Sequence, residues 1–227
     1  MVRLVLWDVD HTLIENAGVS KEIYAAAYLE LTGIAPTHSA VTEGRTDPDI
    51  MADLLRSHAS PEVAWDRVET ALRYAGARHR QALADRGWVL PGVHELLIAL
   101  ADAGTAQTIV SGNIRANAEV KVAGFGLLDW LDLDIGGYGS DSRDRAELVS
   151  LAKSRAARKY AHSRIDATVI GDTPRDVEAA HRGGARVLAV ASGVHSESTL
   201  RAAGADMTLP DLSDTAAALA FVLAWDV

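Results

Sequence analysis

No cysteine occurs among the 227 residues, basic side chains are in deficit, and no apolar run is long enough to cross a bilayer. Each absence removes a class of function. Without cysteine there are no disulfides, no thiolate zinc site and no thiol nucleophile, which fits a reducing, cytoplasmic setting. The longest late apolar stretch, Ala216 to Trp225, is about half of what a membrane span requires. Near the N-terminus one basic residue is followed by Asp8, too soon for the apolar part of a signal peptide. Lys and Arg number 22 against 31 Asp and Glu, a net charge of −9, whereas binding a nucleic-acid backbone needs a basic patch. The one modest basic group, Lys153, Arg155, Arg158 and Lys159, reads as the solvated face of a helix. Neither nucleic acid nor membrane is therefore expected as a partner. Internal repeats and low-complexity linkers are missing too.

What is present is enough apolar material, 48% of residues with 23% charged, for one sizeable core or a core plus a small domain. Four β-branched runs read as buried parallel strands: RLVLWDVD at the start, then 107–112, 167–172 and 186–193. Between them lie helical patterns. Val93, Leu96, Leu97 and Leu100 recur at helical spacing and stop at Gly104; another segment opens at Pro174 and closes at Gly183-Gly184. This alternation predicts an α/β fold with an open parallel sheet and right-handed crossovers. From 16 to 88 the pattern is helical throughout, too long for a crossover. It reads as an inserted all-helical domain, entered near Asn16 to Gly18 and left near Gly87 to Pro91, with Ser20 as the N-cap of its first helix. The expected division is a core of residues 1–15 and 89–227 and a helical domain of residues 16–88, with hinges at the two joins.

The first strand ends in two carboxylates. Residues i and i+2 of a strand share a side, so Asp8 and Asp10 project together where it opens into a loop. The 107–112 run carries Ser111 at its end, and the 167–172 run ends in Asp172, with Asp176 one helical turn on. Ligands in open α/β sheets bind at the carboxyl ends of the strands, so these groups converge in one crevice. Like charges so close together need a cation. Oxygen ligands without His or Cys select a hard ion, and Mg²⁺ is the usual one beside phosphate. An apolar strand gains nothing structural from such a pair of carboxylates. Asp176 has a plainer alternative, since a carboxylate is favoured in the first turn of a helix anyway, and Thr12 and Ser111 could be turn hydroxyls.

Taken in order, DVDHTL after the first strand, Ser111 on the next and GDTPRD after a later one closely resemble the motif set of the haloacid dehalogenase (HAD) superfamily. GRTD at 44–47, PGV at 91–93 and AGAD at 203–206 extend the resemblance over nearly the whole chain. Within the superfamily it is most similar to the phosphoglycolate phosphatase-like branch, with a helical C1-type cap between the first two motifs. The resemblance implies a Rossmann-like, HAD-like core and a Mg²⁺-dependent phosphatase of small phosphorylated metabolites. Asp8 matches the nucleophile, which forms an aspartyl-phosphate, and Asp10 the general acid and base. Mg²⁺ would be held by a carboxylate oxygen of Asp8, the backbone carbonyl of Asp10 and Asp172, with Asp176 holding a metal-bound water or orienting the site. Thr12, Ser111 and the backbone N–H groups near Gly112 and Asn113 would meet the substrate phosphate. Dehalogenases of this fold lack a carboxylate at the position of Asp10, because a halide needs no proton on leaving.

Two positions depart from the family pattern. Relatives commonly place a phosphate-steadying Lys at the start of the helix before the GD motif. Here the region reads GSDSRDRAELVSLAKSRAARKY, so Arg145 is the first candidate and Arg143 the second, with Lys153 and Lys159 deeper in the helix and facing solvent. A guanidinium binds phosphate bidentately, with a reach different from that of Lys. His11 stands where relatives often have Gly, at the mouth of the site, to touch substrate or to shield it. Arg45, in EGRTDPD, either binds a substrate anion from the cap or pairs with Asp47 or Asp49 on the surface. A phosphomutase on the same scaffold and a catalytically silent binding relative remain open as rivals.

Overall fold

The structure, a computed structural model, describes residues 2–224; Trp225, at the end of the late apolar stretch, lies outside them. In chain order the first elements are β1 (Val2–Trp7), β2 (Ile14–Glu15), α1 (Val19–Thr32), α2 (Asp47–Ser57), α3 (Trp65–Arg78), α4 (Arg80–Arg86) and β3 (Trp88–Val89). Then follow α5 (Val93–Asp102), β4 (Ala106–Ser111), α6 (Arg115–Gly124), β5 (Gly137–Tyr138) and α7 (Arg145–Lys159). The chain continues through β6 (Ile165–Gly171), α8 (Pro174–Arg182), β7 (Arg186–Val190), α9 (Glu197–Ala202), β8 (Met207–Leu209) and α10 (Thr215–Leu223). Six strands form one sheet in the order β5-β4-β1-β6-β7-β8, every pair parallel.

The strands are apolar because both faces of the sheet are covered. Val5 and Trp7 of β1 pack on one face with Leu96, Leu97 and Leu188, while Leu4 and Leu6 pack on the other with Leu148, Val149 and Val177. Trp7 stands level with Ile109 and Ile170 of the flanking strands. This register brings Asp8, Ser111 and Asp172, each within two residues of that level, to one edge of the sheet. None of the helices among the described residues is long and apolar enough to cross a membrane.

Residues 19–86 hold four helices, the last stretch of the helical pattern being broken at His79 into α3 and α4. Three local expectations are corrected. The joins are not merely loops: Ile14 pairs with Val89 and Glu15 with Trp88 in a small antiparallel ribbon, too short to leave a periodic signal in sequence. The fourth long strand, expected to reach 193, ends at Val190. Ser20 is not an N-cap, for α1 begins one residue earlier behind Gly18, which has a left-handed φ of 82°. The Ser20 hydroxyl instead donates to Asp10 Oδ1 at 3.3 Å.

Candidate active site

Beyond Trp7 the chain folds into a tight turn in which the N–H groups of Thr12, Leu13 and Ile14 all point back to the Val9 carbonyl, at 3.4, 3.0 and 3.1 Å. His11 adopts a left-handed φ of 62° inside this turn. The turn faces a cavity of about 50 Å³ under the helical segment, lined from the sheet edge by Asp8, Asp10, Ser111, Gly112, Asn113 and Asp172. Arg145, in the first turn of α7, and Tyr24 and Arg45 of the helical segment complete its walls. Thr12 and Asp176 do not line it. The Thr12 side chain is buried with no hydrogen-bond partner among the described residues.

Carboxylate oxygens of Asp8, Asp172 and Asp176 lie within 4.8 Å of one another, and all three residues are buried. Arg145 Nη2 stands 3.4 Å from Asp8 Oδ1 and also donates to Asp176 Oδ1. Burial and then the charge of Asp176 push the Asp8 carboxyl up to about 7, and burial with the charges of Asp176 and Asp8 raises Asp172 well above the ordinary carboxylate range. Three carboxylates against one guanidinium leave the cluster short of positive charge, and its donors are all hard oxygens. A buried divalent cation fits both properties. Gly193 keeps the approach to Asp172 open, since a Cβ there would collide with the Asp172 carboxylate.

Asp176 has two sets of contacts. Its Oδ2 accepts from the Thr173 N–H (3.0 Å) and hydroxyl (2.7 Å), closing a capping box on α8, while Oδ1 orients Arg145. Arg143, the second candidate for the phosphate cation, is exposed and, among the described residues, reaches only Asp49, at 3.5 Å. Lys159 pairs with Asp132 at 2.6 Å, and Lys153 donates to the Gly183 carbonyl at 3.0 Å.

Asp10 is held by Asn113 and by residues that the motif pattern does not mark. Lys121 Nζ donates to its Oδ2 at 2.5 Å and Asn113 Nδ2 at 3.0 Å, while Asn16 Nδ2 donates to Oδ1 at 2.8 Å beside Ser20. Both carboxylate oxygens are thus saturated with donors. Burial alone would raise this carboxyl, but Lys121 and Asn113 hold it at about 2. Lys121 is itself buried, 2% exposed, and bonds Asn113 Oδ1 at 2.7 Å. One sequence signal could have found it: Asn117, Ala118, Lys121 and Val122 make one buried stripe on α6, so this Lys sits on an apolar face and requires a buried partner.

Ser111 Oγ accepts from Asn113 N–H (3.3 Å) and Nδ2 (2.8 Å) and donates to none of the described residues, so its proton is free for a ligand. His11 lines the cavity with its ring held by Glu15, Nδ1 to Oε2 being 2.8 Å. Arg45 pairs with Asp53 at 2.7 Å rather than with the carboxylates of Asp47 or Asp49, because it lies alongside α2 and reaches one turn farther on; it also donates to the Asp49 carbonyl at 3.1 Å.

The helical segment is seated on the Ser111–Asn113 turn by Asp47. Its N–H donates to the Gly112 carbonyl (2.7 Å), its Oδ2 accepts from the Ile114 N–H (2.8 Å) and its Oδ1 from the Tyr24 hydroxyl (2.6 Å). Residue 112 must be Gly, since a Cβ there would collide with the Arg45 carbonyl. Burial pushes the Asp47 carboxyl up to about 6. A folded-state value above the ordinary 3.8 means that stability falls as pH rises from about 4 to about 6. Asp47→Asn should flatten that part of the stability curve, and Asp47→Ala should cost about 2–4 kcal/mol by stranding two buried donors. Urea unfolding across pH measures both.

A family model for haloacid dehalogenase-like hydrolases matches residues 5–181. The chain belongs to that family. It is 26% identical over 223 residues to "Probable phosphatase IndB" of Dickeya dadantii, covering 96% of this chain and 94% of that protein. It is 25% identical over 219 residues to a phosphoglycolate phosphatase of Chromobacterium violaceum, covering 94% of each. Among solved structures, CbbY of Rhodobacter sphaeroides in complex with phosphate superposes with a TM-score of 0.73 at 17% identity, covering 94% of this chain and 96% of that one.

Proposed function

We propose that this member of the HAD family is a cytoplasmic, Mg²⁺-dependent phosphatase of small phosphorylated metabolites that carries the phosphoryl group on Asp8. The observation behind this reading is the setting of Asp8, a buried carboxylate facing a cavity whose other walls supply the Ser111 hydroxyl, Asn113 and Arg145. The two phosphatase-named relatives support it. Asp8, the Asp10 carbonyl and Asp172 would hold Mg²⁺, with Asp176 behind them. When bound, the ion offsets the repulsion between the ester's oxygens and Asp8.

Everything else is the work of the chain's own groups. An Asp8 oxygen bonds to phosphorus as the ester P–O bond breaks. Asp10 takes up the proton of the bound monoester and passes it to the departing alkoxide, with Lys121, 2.5 Å away, fixing its orientation. Asp10 then accepts a proton from the water that cleaves the acyl phosphate and hands it to the departing inorganic phosphate, which restores the ionised Asp10–Lys121 pair. Ser111, the N–H groups near Gly112 and Asn113, and Arg145 steady the phosphoryl oxygens, the Asn113 N–H by leaving Ser111 Oγ. The helical segment acts as a cap that excludes bulk water.

The test is a phosphate-release screen over p-nitrophenyl phosphate and a metabolite panel, with Mg²⁺ or with EDTA. Inorganic phosphate released only with Mg²⁺ is expected. An isomerised phosphosugar in its place would make the chain a mutase, and no product from any ester would make it a silent relative. A second expectation concerns Arg45: Arg45→Ala should raise KM for the best metabolite of the panel and leave KM for p-nitrophenyl phosphate unchanged. Equal effects on both would remove Arg45 from substrate reading.

A further inference from the structure

Five of the chain's 22 basic residues meet in one place. Against a net charge of −9, an open cleft of about 210 Å³ beside the catalytic cavity is walled by five arginines, Arg45, Arg143, Arg145, Arg175 and Arg182. Arg45 pairs with Asp53, Arg145 with Asp176 and Asp8, and Arg182 with Asp144 and Glu178, so the loosely held positive charge of the cleft lies on Arg143 and Arg175. Two of its arginines are weakly committed. Arg175 bonds the Glu43 carbonyl at 2.7 Å and has no carboxylate partner among the described residues. Arg143 approaches Asp49 only at 3.5 Å. Arg145 is more than nine-tenths buried and its Nε finds no acceptor among the described residues, although its Nη2 is engaged beside Asp8.

Cleft and catalytic cavity share Gly44, Arg45 and Arg145 as walls, so one guanidinium borders both. The catalytic cavity, at about 50 Å³, has room for a few water-sized bodies and hence for little beyond a phosphoryl group. Arginine remains charged at any working pH and its planar fork matches an oxyanion, and the N-terminus of α7 adds a favourable dipole. We infer that the arginine-walled cleft is a subsite for a second phosphate-class oxyanion. That anion is the far end of a bis-anionic substrate or a free phosphate bound beside the reaction. The first source rests on the phosphatase reading; the second does not.

Two measurements on full-length protein test this, using wild type and the double variant Arg143→Gln/Arg175→Gln, both positions being exposed. In the first, calorimetric titration with inorganic phosphate in the presence of Mg²⁺ should count two sites in wild type and one in the variant. In the second, a hexose 1,6-bisphosphate should exceed the matching hexose 1-phosphate in kcat/KM by about tenfold. The variant should lose that advantage while hydrolysing p-nitrophenyl phosphate within about twofold of wild type. Two sites without a bisphosphate advantage assign the cleft to free phosphate and sustain the inference. One site in wild type and no bisphosphate advantage overturn it, as does a variant that still counts two sites. If no ester is hydrolysed at all, the phosphatase reading fails, and the calorimetric count still decides the subsite.

Discussion

Asp8→Asn is expected to lower kcat by at least about ten-thousand-fold, since an amide cannot displace an alkoxide from phosphorus. Asp10→Asn should do nearly as much. The fold should survive the Asp8 change and, without metal, should tighten. The folded-state value of about 7 for Asp8 lies above its ordinary 3.8, so the protein resists the charged form. Asp8 therefore makes stability of the metal-free protein fall as pH rises from about 4 to about 7, and the uncharged amide removes its share of that slope, leaving those of Asp47 and Asp172. Melting temperatures in EDTA between pH 4 and 8, beside a phosphate-release assay, measure both effects. An activity within about tenfold of wild type would end the nucleophile assignment.

Lys121→Met should be the next most damaging change, although the residue lies in no motif. It strips Asp10 of its 2.5 Å cation contact and leaves the carboxylate with three neutral donors and no compensating charge. Breaking such a pair from one side costs about 3–5 kcal/mol. With the acid/base group unmoored, kcat should fall by about a hundred- to ten-thousand-fold. The pH signature is opposite to that of Asp8. The folded-state value of Asp10 is depressed to about 2, so its stabilisation is present above about pH 4 and lost as pH falls through about 2; the variant should lose that acid-range dependence. Lys121→Arg, which keeps the charge, should recover part of kcat with KM little changed. Wild-type turnover in Lys121→Met would show that Asp10 needs no such anchor.

Legibility followed the length of the signal. Runs such as VRLVLW and IDATVIG are long, apolar and bounded, and their order along the chain is enough to predict a parallel sheet with ligands at its carboxyl edge. The two-residue strands β2, β3 and β5 leave no period to read. Ser20 looked like a helix cap because Ser commonly caps helices, yet its hydroxyl was drawn to Asp10 by a carboxylate ten residues earlier in sequence. Arg145 could be proposed from its place at the head of a helix. Its bridge between Asp8 and Asp176 needed α7 and α8 side by side.

The sequence alone determined the fold class, the helical insertion and the family, along with the residues whose carboxylates end the strands. Those properties are written in local pattern and order, which act over a few residues at a time. Tertiary structure decided which donors surround each carboxylate: Lys121 from α6 and Asn16 from the ribbon end on Asp10, Arg145 on Asp8, and Asp47 on the turn after Ser111. It also gathered arginines from the helical segment, α7 and α8 around one cleft. Charge interactions depend on distance and burial rather than on sequence separation, so only the assembled chain reveals them.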